Sequence, residues 1–191
     1  MSFKRNLSVL LMSLLSVGLV SCASLTKSQN REVAQSAGSE TSKEREVSRK
    51  LVSLTNAHRK RLGRSHLSGQ SYLKALAKEH SEFLAKQHNS GGKITEYSHA
   101  GVQQRSFSAR NRVKLTIGEN VAWYWSPNDD VAERMFRELL KSRSHRQAIE
   151  RKGWTNVGIS TTQANDGTYF GVQLLGRPYV KQVMPGRTIF L

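Results

Sequence analysis

One carboxylate set inside an apolar run constrains this chain more than any other feature. The run is Thr116–Ile117–Gly118–Glu119–Asn120–Val121–Ala122–Trp123–Tyr124–Trp125. Val113, Leu115 and Ile117 alternate in the manner of a strand, and Val121 and Trp123 continue the alternation. Gly118 permits a bulge or a close backbone approach beside the acid. An unpaired buried charge is very costly, so the fold must give Glu119 a partner or use it as a ligand.

The N-terminus reads as an export signal. Lys4 and Arg5 form a positive start, and Leu7 to Val20 is apolar but shorter than the roughly 20 residues a bilayer span needs. Leu19–Val20–Ser21–Cys22 then resembles the bacterial lipobox. That resemblance implies a signal peptide over 1–21, cleavage before Cys22, diacylglycerol on its sulfur and acylation of the new amino group. The alternative is an ordinary cleaved signal followed by an incidental cysteine. Cys22 is the only cysteine, so no intramolecular disulfide can form. Several acyl chains anchor a protein stably where one does not. Ala23 and Ser24 follow the cysteine, which in a diderm cell leans toward the outer membrane.

Residues 22–45 form the expected tether. Beyond the cysteine they are rich in Ser, Gln, Lys, Glu and Thr, with only Leu25 and Val33 as sizeable apolar side chains. Such a segment buries too little surface to offset its ordering entropy. The formal net charge of +16 favours anionic partners, namely a lipid surface, a cell-surface polymer or nucleic acid. No basic run is interleaved with aromatics, which argues against a nucleic-acid platform. A basic soluble surface without a dedicated partner is the plainer reading. A monomer is expected.

The acidic and basic residues of Ser42 to Arg49 can begin the first helix, and from Val47 the pattern turns helical, with Leu51, Leu54, His58 and Leu62 at steps of three and four and Gly63 placed to end the helix. A second amphipathic run carries Tyr72, Leu73, Leu76, Ala77, His80, Phe83 and Leu84, and should stop near Asn89–Ser90–Gly91–Gly92. A polar stretch to Arg112 has room for a short helix. Ser126–Pro127 with Asp129 and Asp130 predicts a helix start, with Val131, Met135 and Leu139 on its buried face. Ser142–Arg143–Ser144–His145–Arg146 interrupts that helix and opens a short one through Ile149. Asn156–Thr162 and Tyr169–Leu175 read as strands joined by a hairpin at Ala164–Asn165–Asp166–Gly167. Helices followed by hairpin strands predict an α+β layered domain.

Taken in order, these residues resemble the CAP superfamily, also called SCP domains: cysteine-rich secretory proteins, antigen 5 and plant pathogenesis-related proteins. The match runs from about Val47 to Gly176. Asn56 and Arg59 look like the N-x-x-R of the family's first helix. Leu73, Ala77, His80 and Ser81 fit its second helix, and Ser98–His99 its S-H. Gly118–Glu119–Asn120–Val121–Ala122 resembles G-E-N-[IV]-A, the most telling signature. Ser142 to Arg146 looks like S-P-G-H-R with Arg143 and Ser144 in place of proline and glycine. Trp154 to Gly158 and Tyr169 to Gly176 resemble the late strands. The resemblance implies a three-layer α-β-α sandwich of CAP/SCP type around a mostly antiparallel sheet. The domain is expected over 46–177, with 178–191 as a C-terminal extension containing strand-like Tyr179–Val180 and Ile189–Phe190–Leu191.

The resemblance also implies a groove with two histidines and two acids that binds a divalent metal in some members. His99, Glu119 and His145 match three of these; Glu138 is the best candidate for the second acid, and Glu133 the next. Glu119 would then meet His99 on one side and His145 on the other. Two imidazoles and a carboxylate leave an open position on a zinc-like ion, which is a catalytic arrangement. The alternative is a hydrogen-bonded His–Glu–His cluster that fixes the helices against the sheet. His58, His66, His80 and His88 read as helix-face or surface residues without an identifiable partner. Ser98 makes a poor nucleophile, since neighbours on a strand point to opposite faces. Trp123 and Trp154 are expected in the core, and Trp125 at the surface.

Two functions are consistent with these features. One is a lipid-anchored, non-catalytic module that binds a lipid, glycan or surface ligand outside the cell. The other is a metal-dependent or serine-type hydrolase built on the His/Glu groove.

Overall fold

The computed structural model describes residues 40–125 and 130–181. The expected signal peptide, Cys22, most of the tether, Ser126–Pro127 and the end of the C-terminal extension lie outside those residues.

Helix α1 (Ser42–Arg61) begins inside the stretch assigned to the tether. Thr41 and Glu44 explain why: each side chain accepts from the other's backbone N–H, which closes a capping box. The helix ends at Leu62, and Gly63 follows with a positive φ. Strand β1 (Ser68–Gly69) leads into α2 (Ser71–Asn89). The short α3 (Ile94–Tyr97) and α4 (Val102–Val113) follow, so the polar stretch before Arg112 is a full helix. Then come β2 (Leu115–Tyr124), α5 (Val131–Lys141), α6 (Arg143–Glu150), β3 (Asn156–Gln163) and β4 (Tyr169–Pro178). Asp130, rather than Ser126, caps α5, accepting from the Glu133 N–H. Tyr179–Val180 does not continue the strand, although the Tyr179 N–H donates to the Lys114 carbonyl.

The four strands lie in the order β1-β3-β4-β2. The β3–β4 and β4–β2 pairs are antiparallel, and only the two-residue β1 runs parallel to β3. Helices cover both faces, giving the expected α+β sandwich. One core gathers Val47 and Leu51 of α1, Met135, Phe136 and Leu139 of α5, and Ile149 of α6 against Ala122, Trp154 and Ile159. The other gathers Leu73, Leu76, Ala77 and Leu84 of α2 and Ala109 of α4 against Leu115, Val121 and Val172. The fit on the second side is close: a Cβ at Gly158 would lie 2.3 Å from the backbone of Leu73, so no other residue lets α2 sit this near β3. Among the described residues, no helix is long and apolar enough to cross a membrane.

Strand β2 forms the sheet edge and carries the acid identified above. Its pairing with β4 is continuous from Leu115↔Pro178 to Tyr124↔Tyr169, so Gly118 marks no bulge. It marks a close approach instead: a Cβ there would lie 3.0 Å from the Trp154 ring. Alternation along β2 sends Glu119 to the α2–α4 side and Asn120 to the α1–α5–α6 side.

Candidate functional site

The Glu119 side chain is only 1% exposed and is held by an arginine. Arg105 of α4 donates Nε to Oε2 at 2.6 Å and Nη2 to Oε1 at 2.8 Å, a bidentate fork. Its Nη1 donates to the Ala100 carbonyl at 2.8 Å, which fixes the guanidinium to the loop carrying His99. His99 Nδ1 lies 3.0 Å from Oε1, with almost half of that imidazole facing solvent. Burial alone would raise the Glu119 pKa; the hydrogen bonds from His99 and Arg105 outweigh it and hold the acid below its ordinary value. The carboxylate is therefore charged, and Arg105 supplies its counter-charge.

His80 of α2 completes the cluster. It is buried, stacks on Phe83 and places Nε2 2.7 Å from the Ser98 carbonyl and 4.0 Å from Glu119 Oε1. Burial lowers its pKa, and the Arg105 charge adds to that, so it is neutral and donates through Nε2. His80 thus ties α2 to the turn that carries His99. Ser98 lies in a helical turn, not a strand, and its carbonyl is the group in use.

The opposite face of β2 is built differently. Asn120 donates Nδ2 to Gln173 Oε1 at 2.8 Å, and Gln173 donates Nε2 to Thr55 Oγ1 at 2.9 Å. This neutral ladder joins β2, β4 and α1, with all three residues buried. Beside it, at the strand edge, Val121, Ala122, Trp123, Glu138, Leu139, Ser142 and His145 line a cavity of about 310 Å³. Burial, with a smaller contribution from the His99 charge, lowers the His145 pKa. Trp123 is 44% exposed at the mouth, not in the core as expected. It stands at the open edge near the strand end, where no helix covers its ring. Trp154 is buried and Trp125 exposed, as expected.

The structure thus brings His99 to Glu119 and adds Arg105 and His80, which sequence reading missed. A partial signal existed for Arg105: it is one of three arginines in a half-polar helix, in a chain whose buried carboxylate needs a cation. His145 instead lies on α6, which packs on the Asn120 side, and Glu138 is exposed and paired with Lys141 at 2.6 Å. Glu133 lies 3.9 Å from Lys50. Two other histidines have acidic partners, His58 with Glu150 and His88 with Asp166. His66 lies 3.5 Å from Asn56.

These donors do not fit a resident divalent ion. The Arg105 fork occupies both Glu119 oxygens and neutralises the charge that would attract a cation. Among the described residues, no three His, Cys, Asp or Glu side chains come together in a group that could hold a metal.

The N-x-x-R pair is structural. Asn56 Oδ1 accepts from the Leu67 N–H at 2.8 Å while its Nδ2 donates to the Leu67 carbonyl. Arg59, fully buried, donates Nη1 to the carbonyls of Ile149 and Arg151 and Nε to that of Ser65. It anchors the end of α6, the helix that carries His145.

Comparison with known proteins agrees with this architecture. The family model of the cysteine-rich secretory protein family, CAP, matches residues 52–175. No curated protein matches the chain. Among solved structures, the fold is similar to an outer surface protein from Borrelia burgdorferi, with TM-score 0.55, 21% identity, 70% of this chain and 93% of that one covered. It is similar to a cysteine-rich secretory protein from Staphylococcus aureus (TM-score 0.53, 15% identity), covering 70% of this chain and 40% of that one. An extracellular protein containing an SCP domain from Bacillus anthracis is also similar (TM-score 0.52, 23% identity), with 73% of this chain and 45% of that one covered. The latter two are more than twice the matched length. At these identities the likeness concerns the fold.

Proposed function

The chain belongs to the cysteine-rich secretory protein family, CAP, and from that premise we propose that it is a membrane-anchored, extracytoplasmic binding module rather than a hydrolase. The observation that carries this reading is the Arg105–Glu119 fork. A carboxylate already paired in both oxygens is poorly placed to act as a base or a metal ligand, and well placed to hold a loop. The ligand contacts then fall to the open cavity around Trp123 and His145, whose volume is at the lower end of the range for small-molecule sites. Its apolar walls, indole and neutral imidazole suit a lipid, a glycan or a surface ligand.

Anchoring rests on the lipobox at Leu19 to Cys22, and the similar outer surface and extracellular proteins support placement outside the cytoplasm. Expressed in a bacterium, the full chain should sediment with membranes, and Cys22→Ser should release it; retention of that variant in the membrane fraction would count against lipidation.

The groove is tested by zinc titration calorimetry of residues 39–191, the compact unit that contains both cores. Little binding heat is expected, and Arg105→Gln should expose Glu119 and His99 and increase it. Strong binding to the unaltered protein that His99→Ala abolishes would restore the metal-dependent reading.

A further inference from the structure

The two ends of this domain differ in how their cations are paired. At one end the chain turns from β3 into β4. Here Glu44 accepts from the Gln163 N–H, Asp166 pairs with His88, and Asp130 pairs with Lys50. Glu40 pairs with Lys74 and also meets Ser160 beside the middle of β3. The other end holds the start of β2, the start of β3 and the end of β4, set together by Leu115↔Pro178 and Asn156↔Gly176. Arg59 joins the end of α1 to Arg151 there, and Arg110 of α4 lies over the Tyr179 ring at 4.9 Å.

Exposed cations crowd that second end. Arg61 closes α1, Arg110 and Lys114 close α4, Lys152 precedes β3, and Arg177 and Lys181 lie at and beyond the end of β4. None of the six has a carboxylate within ion-pair distance among the described residues. The one acid nearby, Glu150, is taken by His58 at 2.9 Å. A cavity of about 450 Å³, lined by Thr116, Arg177, Pro178, Tyr179 and Val180, opens among them. Because α1 and α4 cover opposite faces of the sheet, the cations form a cap across the sheet end.

We propose that this basic end is a docking surface for a linear acidic polysaccharide. Unpaired cations on both layers and the concavity between them suit a polyanion that crosses the end of the sheet. The choice of a polymer over a membrane rests on shape: the cations of α1 and α4 stand on opposite layers around a concavity, which a linear chain can cross and a flat bilayer does not fill. This reading does not depend on the anchor.

The test is fluorescence anisotropy of residues 39–191 with labelled heparin as the probe, at rising salt. Binding that weakens with salt is expected. The triple variant Arg110→Glu, Arg177→Glu, Lys181→Glu should weaken it by roughly a hundredfold or more, taking about fivefold per cation lost near an anionic surface. A control variant of equal charge change at the opposite end, Lys43→Glu, Arg45→Glu, Lys86→Glu, should stay within about twofold, since distant charges are screened. Glutamine substitutions at the same three basic-end positions keep the test valid if the glutamate variant fails to fold. Equal losses in both triple variants would reduce the effect to net charge and overturn the proposal. So would capture by phosphatidylglycerol vesicles without heparin binding, which would assign the surface to a membrane. Membrane retention of full-length Cys22→Ser with heparin binding intact would remove the anchored reading and leave this proposal standing.

Discussion

The two faces of β2 solve the same problem in opposite ways. Both bury polar side chains next to each other in sequence. On one face Glu119 carries a full charge, met by Arg105 and His99. On the other, Asn120 carries none, and one amide–amide bond to Gln173 and the Thr55 hydroxyl complete it. The ionic face binds a loop and two helices to the strand and leaves neither oxygen of the acid without a donor. The neutral face leaves room beside it for a cavity. The lesson is that the motif's charge serves to close one side of the strand, and its neutral neighbour lets the other side stay open.

The largest break in that comparison comes from Arg105→Ala. Removing one partner of a buried ion pair leaves the other charge uncompensated, so a loss of about 3–5 kcal/mol is expected. Urea unfolding of residues 39–191 measures it. Glu119→Gln, which removes the charge but keeps the shape, should cost less than Arg105→Ala. An equal or larger loss would mean that the fork matters for its hydrogen bonds and not for its charge.

The neutral face should give a smaller number. Asn120→Ala strands the Gln173 amide oxygen in a buried site and is expected to cost about 1–3 kcal/mol. Replacing Asn120 and Gln173 together with apolar residues should recover part of that, because both unsatisfied groups then disappear. A double variant worse than the sum of the singles would show that the ladder also orients Thr55.

Much of this contrast was legible in the sequence. The strand period around Glu119, the glycine before it and the breakers after Asn89 are local signals, and each marks the element it indicated. Glu119 was legible as a residue in need of a partner, and His99 as one of its neighbours. Arg105 was not, because its role depends on a long-range contact between α4 and β2 that no periodicity encodes. The exposure of Trp123 was also hidden: a tryptophan at an alternating strand position looks the same whether or not a helix covers it. The α1 start was also legible: the charged residues from Ser42 open the helix, and Thr41 with Glu44 caps it.

pH separates the faces further. Buried His80 on the ionic face and His145 on the other both have pKa values lowered from 6.5, first by burial. The unfolded chain therefore takes up their protons first, and stability present above pH 6.5 is lost as pH falls toward the folded values. Glu119 is lowered too, and its contribution persists above the ordinary carboxylate range and drains only in stronger acid. The exposed Asp166, lowered to about 2 first by its hydrogen bond from His88, also titrates only in strong acid. His80→Gln should flatten the stability profile just below pH 6.5 without altering its acid limb. His145→Gln should do the same to a lesser degree, because that ring is less buried. Thermal melts across pH that leave the upper limb unchanged in both variants would remove the histidines from the account.

The smallest effect on stability belongs to Trp123→Ala, and it bears most directly on why one face stays open. The ring is 44% exposed and lies at the cavity mouth, outside both cores. Truncating an exposed side chain away from caps and buried networks changes stability by about 0.5 kcal/mol or less. If the indole were a core residue, as its place in the strand pattern predicts, the loss would instead be about 3–5 kcal/mol. A near-neutral melt therefore fixes Trp123 as a surface group. A large apolar ring kept at an open mouth, next to a neutral imidazole, has packing to gain from something that enters the cavity. The variant should lose ligand contact while keeping its fold, the reverse of what Arg105→Ala should do.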